Sequence, residues 1–76
     1  MIKRISIVGC GWLGLPLAQS LLQQGFHILG SRRQLAELAE LHHLGIEAYQ
    51  LELNPEIDSN NIAALLDCDL LIINIP

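Results

Sequence analysis

The sequence predicts an α/β fold built on a single parallel sheet. Three observations carry that expectation. Short apolar runs recur along the 76 residues. The stretches between them carry helical apolar spacing, and two of these stop at glycine. A glycine-rich turn joins the first run to the first helical stretch.

Ile5 to Val8 is β-branched and apolar, with Ile2 ahead of it and Gly9 behind, and reads as a buried strand. Trp12 to Gln24 reads as a helix with Leu13, Leu17, Ala18 and Leu21 on one face, and Gly25 stops it. Pro16 is tolerated there because it falls in or near the first turn of a helix that begins close to Gly11. Phe26 to Gly30 reads as the second strand. Ser31 is the expected N-cap of the next helix, with Gln34 at the capping-box position. That helix spans Gln34 to Leu44, with Leu35, Leu38, Ala39, Leu41 and Leu44 as its buried stripe and Gly45 as its end. Glu47 to Leu53 alternates as a third strand, and Asn54 and Pro55 interrupt it. A short third helix runs from about Asp58 to Leu66. Leu70 to Ile75 is a continuous apolar strand.

The order is βαβαβαβ. Right-handed crossovers turn it into a three-layer, doubly wound, Rossmann-like sheet with strand order 3-2-1-4. In that order Leu70 to Ile75 is an outer strand with no charge and no proline inside it, the kind of edge that needs cover. The expectation is self-association as a dimer through that edge, or cover by further C-terminal chain. Residues 1–76 are then the N-terminal portion of a dinucleotide-binding domain.

Composition excludes several other classes. The net charge is -4 with only four Lys and Arg, a poor basis for holding nucleic acid. The apolar runs are too short to span a bilayer. Lys3 and Arg4 resemble the start of a signal peptide, but Gly9 and Gly11 break the apolar stretch behind them. Cys10 and Cys68 lie in no metal-ligand pattern, so no metal site is expected and a reducing cytoplasm is the expected location.

Gly9, Cys10, Gly11, Trp12, Leu13 and Gly14 form GxGxxG between the first strand and the first helix. In that context each glycine has its own task. Gly9 makes the tight turn, Gly11 lets the backbone approach a pyrophosphate, and Gly14 lets helix and strand pack closely. The helix start offers amides and a positive dipole end to the phosphates, and Trp12 and Leu13 sit within that loop. The alternative is a plain tight turn in which the glycines serve geometry only.

NAD binders carry a carboxylate about 20 residues on, at the end of the second strand. Here that place holds Gly30-Ser31-Arg32-Arg33. A carboxylate there repels the 2′-phosphate of NADP, whereas a guanidinium binds it in a charge-assisted fork. Arg32 and Arg33 are half of the basic residues in the chain, and two cations at a helix start oppose its dipole unless an anion joins them. Ser31 adds a hydroxyl. NADP(H) is therefore the expected cofactor, with NAD(H) second. The opposing reading is a solvated helix start. Cys10 reads as small filler, His42 and His43 as exposed residues near a helix end, Asp67 and Asp69 as loop carboxylates, and Tyr49 as packing.

These tracts, together with Gln24 to Ile28, Leu44 to Glu47, Leu51 to Leu53 and Asp67 to Asn74, are similar to the N-terminal part of the extended and atypical short-chain dehydrogenase/reductases, the epimerase/dehydratase-like family. The resemblance implies that Arg32 takes the 2′-phosphate or ribose position. It places Glu52 and Leu53 beside the adenine, and Asn74 to Pro76 along the cofactor. It also implies that the catalytic Tyr-x-x-x-Lys lies beyond residue 76, so no catalytic residue is expected among these 76. The glycine spacing departs from TGxxGxxG, the usual pattern of extended members, and favours an atypical branch. Glu52 stands where the family has Asp. The loop also resembles that of UDP-sugar dehydrogenases, which need an acid where this chain has arginine. Three readings follow as expectations: the cofactor half of an oxidoreductase or nucleotide-sugar epimerase/dehydratase-like enzyme, a non-catalytic dinucleotide-binding regulatory module, or a structural remnant that binds no cofactor.

Overall fold

A computed structural model describes residues 1–11, 14–51 and 59–74. The elements are β1 (Arg4–Val8), α1 (Gly14–Gln23), β2 (His27–Arg32), a 3-10 turn (Leu35–Glu37), α2 (Leu38–His43), β3 (Glu47–Gln50), α3 (Ser59–Leu66) and β4 (Leu70–Ile73). The four strands are parallel in the order β3-β2-β1-β4. The fold is a Rossmann-like α/β fold, as the alternation of elements predicts.

The register sorts the side chains into two layers. Ile5 pairs with Ile28 and Leu70, and Ile7 with Gly30 and Ile72, so these side chains share one face. On that face lies a core of Ile5, Ile7, Cys10, Ala18, Ile28, Leu41, Ile46 and Ala48, packed by Leu15, Leu21 and Leu22 of α1 and by Leu38 of α2. Ser6, paired with Leu29 and Leu71, belongs to the opposite face. Leu29 of β2 and Leu65 of α3 are buried.

Both helices that end at glycine close with the same pair of hydrogen bonds. Phe26 N–H donates to Leu21 O and Gly25 N–H to Leu22 O; Ile46 N–H donates to Leu41 O and Gly45 N–H to His42 O. This is the Schellman arrangement, with the glycine at positive φ in each case.

Three local expectations are corrected. Ser31 is not an N-cap, because β2 runs on through Arg32 and the 3-10 turn begins after Gln34, which makes no side-chain cap bond. Residues 35–37 wind as a 3-10 turn, so the apolar stripe shifts to Leu38, Leu41 and Leu44, while Leu35 is 66% exposed and Ala39 is exposed. In α1 the packed face is Gly14, Ala18, Leu21 and Leu22, and Leu17 points outward, 40% exposed. Gly14 fixes that rotation, because only a residue without Cβ can face β1 so closely. Leu13, the end of the expected third strand (Glu52, Leu53) and Ile75 of the fourth lie outside the described residues.

At the amino ends of the strands, polar side chains tie the sheet together. Tyr49 Oη donates to Glu47 Oε2 at 2.6 Å, and His27 Nε2 lies 3.3 Å from Glu47 Oε1. Asp69 Oδ2 accepts the N–H groups of Lys3 and Arg4 at 2.8 and 3.0 Å. These backbone donors hold the Asp69 carboxyl below its ordinary pKa.

Candidate functional site

The turn after β1 is held from both sides by its neighbouring strands. Gly9 takes φ +86°, a conformation that glycine adopts without strain. Its N–H donates to Ser31 Oγ at 2.9 Å, and Cys10 N–H donates to Ser31 O at 2.7 Å. From the β4 side, Asn74 N–H donates to Val8 O at 2.8 Å and Asn74 Nδ2 to Gly9 O at 3.2 Å. Gly11 N–H donates to Gly9 O, and Leu15 N–H to Gly11 O, both at 2.9 Å. The backbone of residues 9 and 10 is therefore fully engaged. Ser31 is buried and acts as the clamp of this turn.

The three glycines differ in what surrounds them. A Cβ on Gly14 meets Gly9 O at 2.8 Å, Asn74 Nδ2 at 3.1 Å and Ile7 Cγ2 at 3.3 Å. A Cβ on Gly11 meets no atom within 4 Å among the described residues. Gly11 instead opens onto a groove of about 410 Å³ lined also by Leu15, Pro16, Gln19, Arg32 and Glu40. The fold accounts for Gly9 and Gly14, while Gly11 answers to nothing inside the described protein.

Arg32 ends β2 beside this groove. Its Nη1 donates to Cys10 O at 3.0 Å, and its Nη2 forms an ion pair with Glu37 Oε2. Arg33 is exposed, and its carbonyl accepts from Gln50 Nε2 at 3.2 Å. Cys10 packs its side chain against Gly30, where an added Cβ would meet Cys10 Cβ at 3.2 Å. Burial pushes the Cys10 thiol up, and the Arg32 guanidinium opposes that shift only in part. A protonated, enclosed thiol is filler, as its position in the loop suggests.

Of the residues singled out by sequence, Gly9, Gly11, Gly14, Ser31 and Arg32 converge at the carboxyl end of the sheet, and Arg33 borders them. Trp12, Leu13, Glu52 and Leu53 lie outside the described residues. Sequence reasoning missed Glu37 as the partner of Arg32, and Gly30 as the space for Cys10. The small pair Gly30-Ser31 at a strand end was the available sign of the second. Among the described residues no group of three or more His, Cys, Asp or Glu converges as metal ligands, and no helix is long and apolar enough to cross a membrane.

A parallel sheet in this order, with a glycine turn from its first strand into a helix, defines the Rossmann-like class of α/β folds. Comparison with known proteins agrees at the level of fold. The chain superposes on a dipicolinate synthase subunit from Bacillus halodurans with a TM-score of 0.78 at 23% identity, covering 97% of this chain and 23% of that one. In sequence it is 40% identical over 77 residues to protein YeeZ of Escherichia coli K12, and equally to that of E. coli O157:H7. The match takes in 99% of this chain and 28% of each relative, so the chain spans little more than a quarter of their length. No protein-family model matches it.

Proposed function

We propose that this chain is the N-terminal portion of a dinucleotide-binding domain, that its ligand is NADP(H), and that the whole protein is an oxidoreductase or epimerase/dehydratase-like enzyme of the short-chain dehydrogenase/reductase type. The observation that carries the reading is Gly11. It is a glycine on which an added Cβ meets nothing within 4 Å among the described residues, on a groove that begins at a strand-to-helix turn and ends at a guanidinium.

The residues suit the group. The start of α1 brings the positive end of a helix dipole to the pyrophosphate, and the absent side chain at Gly11 allows close approach. Ser31 holds the turn in shape through Gly9. Arg32, with Arg33 beside it, faces the 2′-phosphate with planar, charge-assisted donors. When bound, the cofactor supplies hydride transfer, and the protein supplies position and electrostatics.

Titration calorimetry with NADPH and NADH tests the proposal. NADPH should bind roughly tenfold or more tightly, the scale of one charge-assisted hydrogen bond. Equal affinities would remove the assignment of Arg32 and Arg33.

A further inference from the structure

We infer that Glu37 is a specificity-determining residue of this site: its carboxylate holds Arg32 in the place that a ligand's 2′-phosphate takes, and so moderates the preference for NADP(H) over NAD(H). The inference rests on the cofactor reading above and adds a competitor to it.

The geometry is specific. Arg32 presents two working edges. Nη1 is fixed on the Cys10 carbonyl, which belongs to the glycine turn, and Nη2 is paired with Glu37. Glu37 closes the 3-10 turn that follows β2, five positions along the chain, and reaches back to the strand end. The two side chains are only 23% and 30% exposed, so water screens this pair less than a pair on an open surface. Arg32 therefore comes to a ligand with part of its charge already neutralised. An incoming phosphate must either displace the Glu37 carboxylate from Nη2 or sit beside it as a second anion on the same cation. Each route weakens binding of the 2′-phosphate. Neither touches NADH, which carries a hydroxyl at that place.

Glu37 thus has a role opposite to that of an acid at the end of the second strand in NAD binders. It does not hold the ribose; it lowers the gain that Arg32 offers to a phosphate. The Nη1 contact keeps the guanidinium aimed at the turn whether or not Glu37 is engaged, so losing the carboxylate frees the cation without misplacing it.

The experiment is calorimetric titration of the protein and its Glu37→Gln variant with NADPH and with NADH at one fixed salt concentration. Asp67→Asn serves as the control for net charge, because Asp67 is 83% exposed at the opposite end of the sheet. Glu37→Gln should raise NADPH affinity about tenfold, the scale of one charge–charge contact at a partly shielded site, and leave NADH affinity within about twofold. Asp67→Asn should leave the ratio of the two affinities unchanged. An unchanged ratio in Glu37→Gln, a weakened NADPH affinity, or an equal rise in Asp67→Asn would overturn the role of Glu37. A parent protein with no preference for NADPH would overturn the cofactor reading itself, and this inference with it.

Discussion

The carbonyl oxygen of Gly9 lies 2.8 Å from where a Cβ on Gly14 would stand. Real Cβ contacts are not that short, so helix α1 approaches the turn after β1 only because residue 14 has no side chain. Gly11, between them, meets no such obstacle among the described residues. Steric demand and ligand demand are thus separated along one loop.

Alanine substitutions should divide accordingly. Gly14→Ala should overpack the junction and cost about 1–3 kcal/mol, which lowers the melting temperature by roughly 5–20 °C in a domain of this size. Gly11→Ala should change stability by less than about 0.5 kcal/mol and weaken dinucleotide binding about tenfold or more. Thermal melts by circular dichroism and calorimetric titration read the two effects separately. If Gly11→Ala bound cofactor as well as the parent, that glycine would not be the point of close approach.

The two arginines should also separate. Arg32 donates to the Cys10 carbonyl, whereas Arg33 is exposed and engages β3 through its backbone. Arg33→Gln should reduce NADPH affinity by about threefold to tenfold and leave the melting temperature in place. Arg32→Gln should reduce NADPH affinity more and also lower the melting temperature, because the turn loses a charged donor. Matching effects of the two substitutions on stability would contradict the contact at Cys10.

The fold was legible because its signals are local and repeated. Gly25 and Gly45 mark helix ends, and alternating strands and helices admit one strand order once crossovers are right-handed. The ends of elements were less legible where tertiary contacts override local chemistry. Ser31 has the composition of an N-cap, yet its carbonyl is taken by Cys10 and its hydroxyl by Gly9, which keeps it in β2. The Arg32–Glu37 pair spans five positions across a strand end and a 3-10 turn, a spacing that no helical rule predicts. Leu17 and Leu35 show the same limit. Apolar spacing gives a helix its period, but the tightest backbone approach sets which way the helix faces.

Stability should fall at both extremes of pH because of one hydrogen bond. Tyr49 donates to Glu47, which lowers the Glu47 pKa below its ordinary 4.5, with His27 and Arg4 helping. The same bond, with burial, raises Tyr49 above its ordinary 10.0. A lowered carboxylate contributes stability above its unfolded pKa and loses it as pH falls through the folded value. A raised phenol contributes stability below its unfolded pKa and loses it as pH rises through the folded value. The melting temperature should therefore decline below about pH 4.5 and above about pH 10. Tyr49→Phe should flatten the alkaline decline and shrink the acid one, where Asp69 still contributes. A profile for Tyr49→Phe that overlays the parent would rule out this bond as the source.

Strand β4 should drive self-association of the 76-residue chain. It pairs with β1 on one side, and no other described strand pairs with it. Leu70, Leu71 and Ile73 are 40%, 37% and 64% exposed, so both of its faces as well as its outer edge carry apolar surface. An outer strand of this kind, with no charged residue within it, is a template for pairing. Strand β3, the other outer strand, is Glu-Ala-Tyr-Gln, and its Glu47 carboxylate protects it better. Light scattering across a concentration series should show a dimer growing in for the parent chain. Ile73→Lys should hold the chain monomeric, because a lysine on the exposed strand opposes both apolar contact and strand pairing. Since Ile73 is largely exposed, its replacement should leave the melting temperature within about 2–4 °C at low concentration, on the scale of a surface substitution in a small domain. A parent that scatters as a monomer at every concentration would show that this edge does not pair with a second copy.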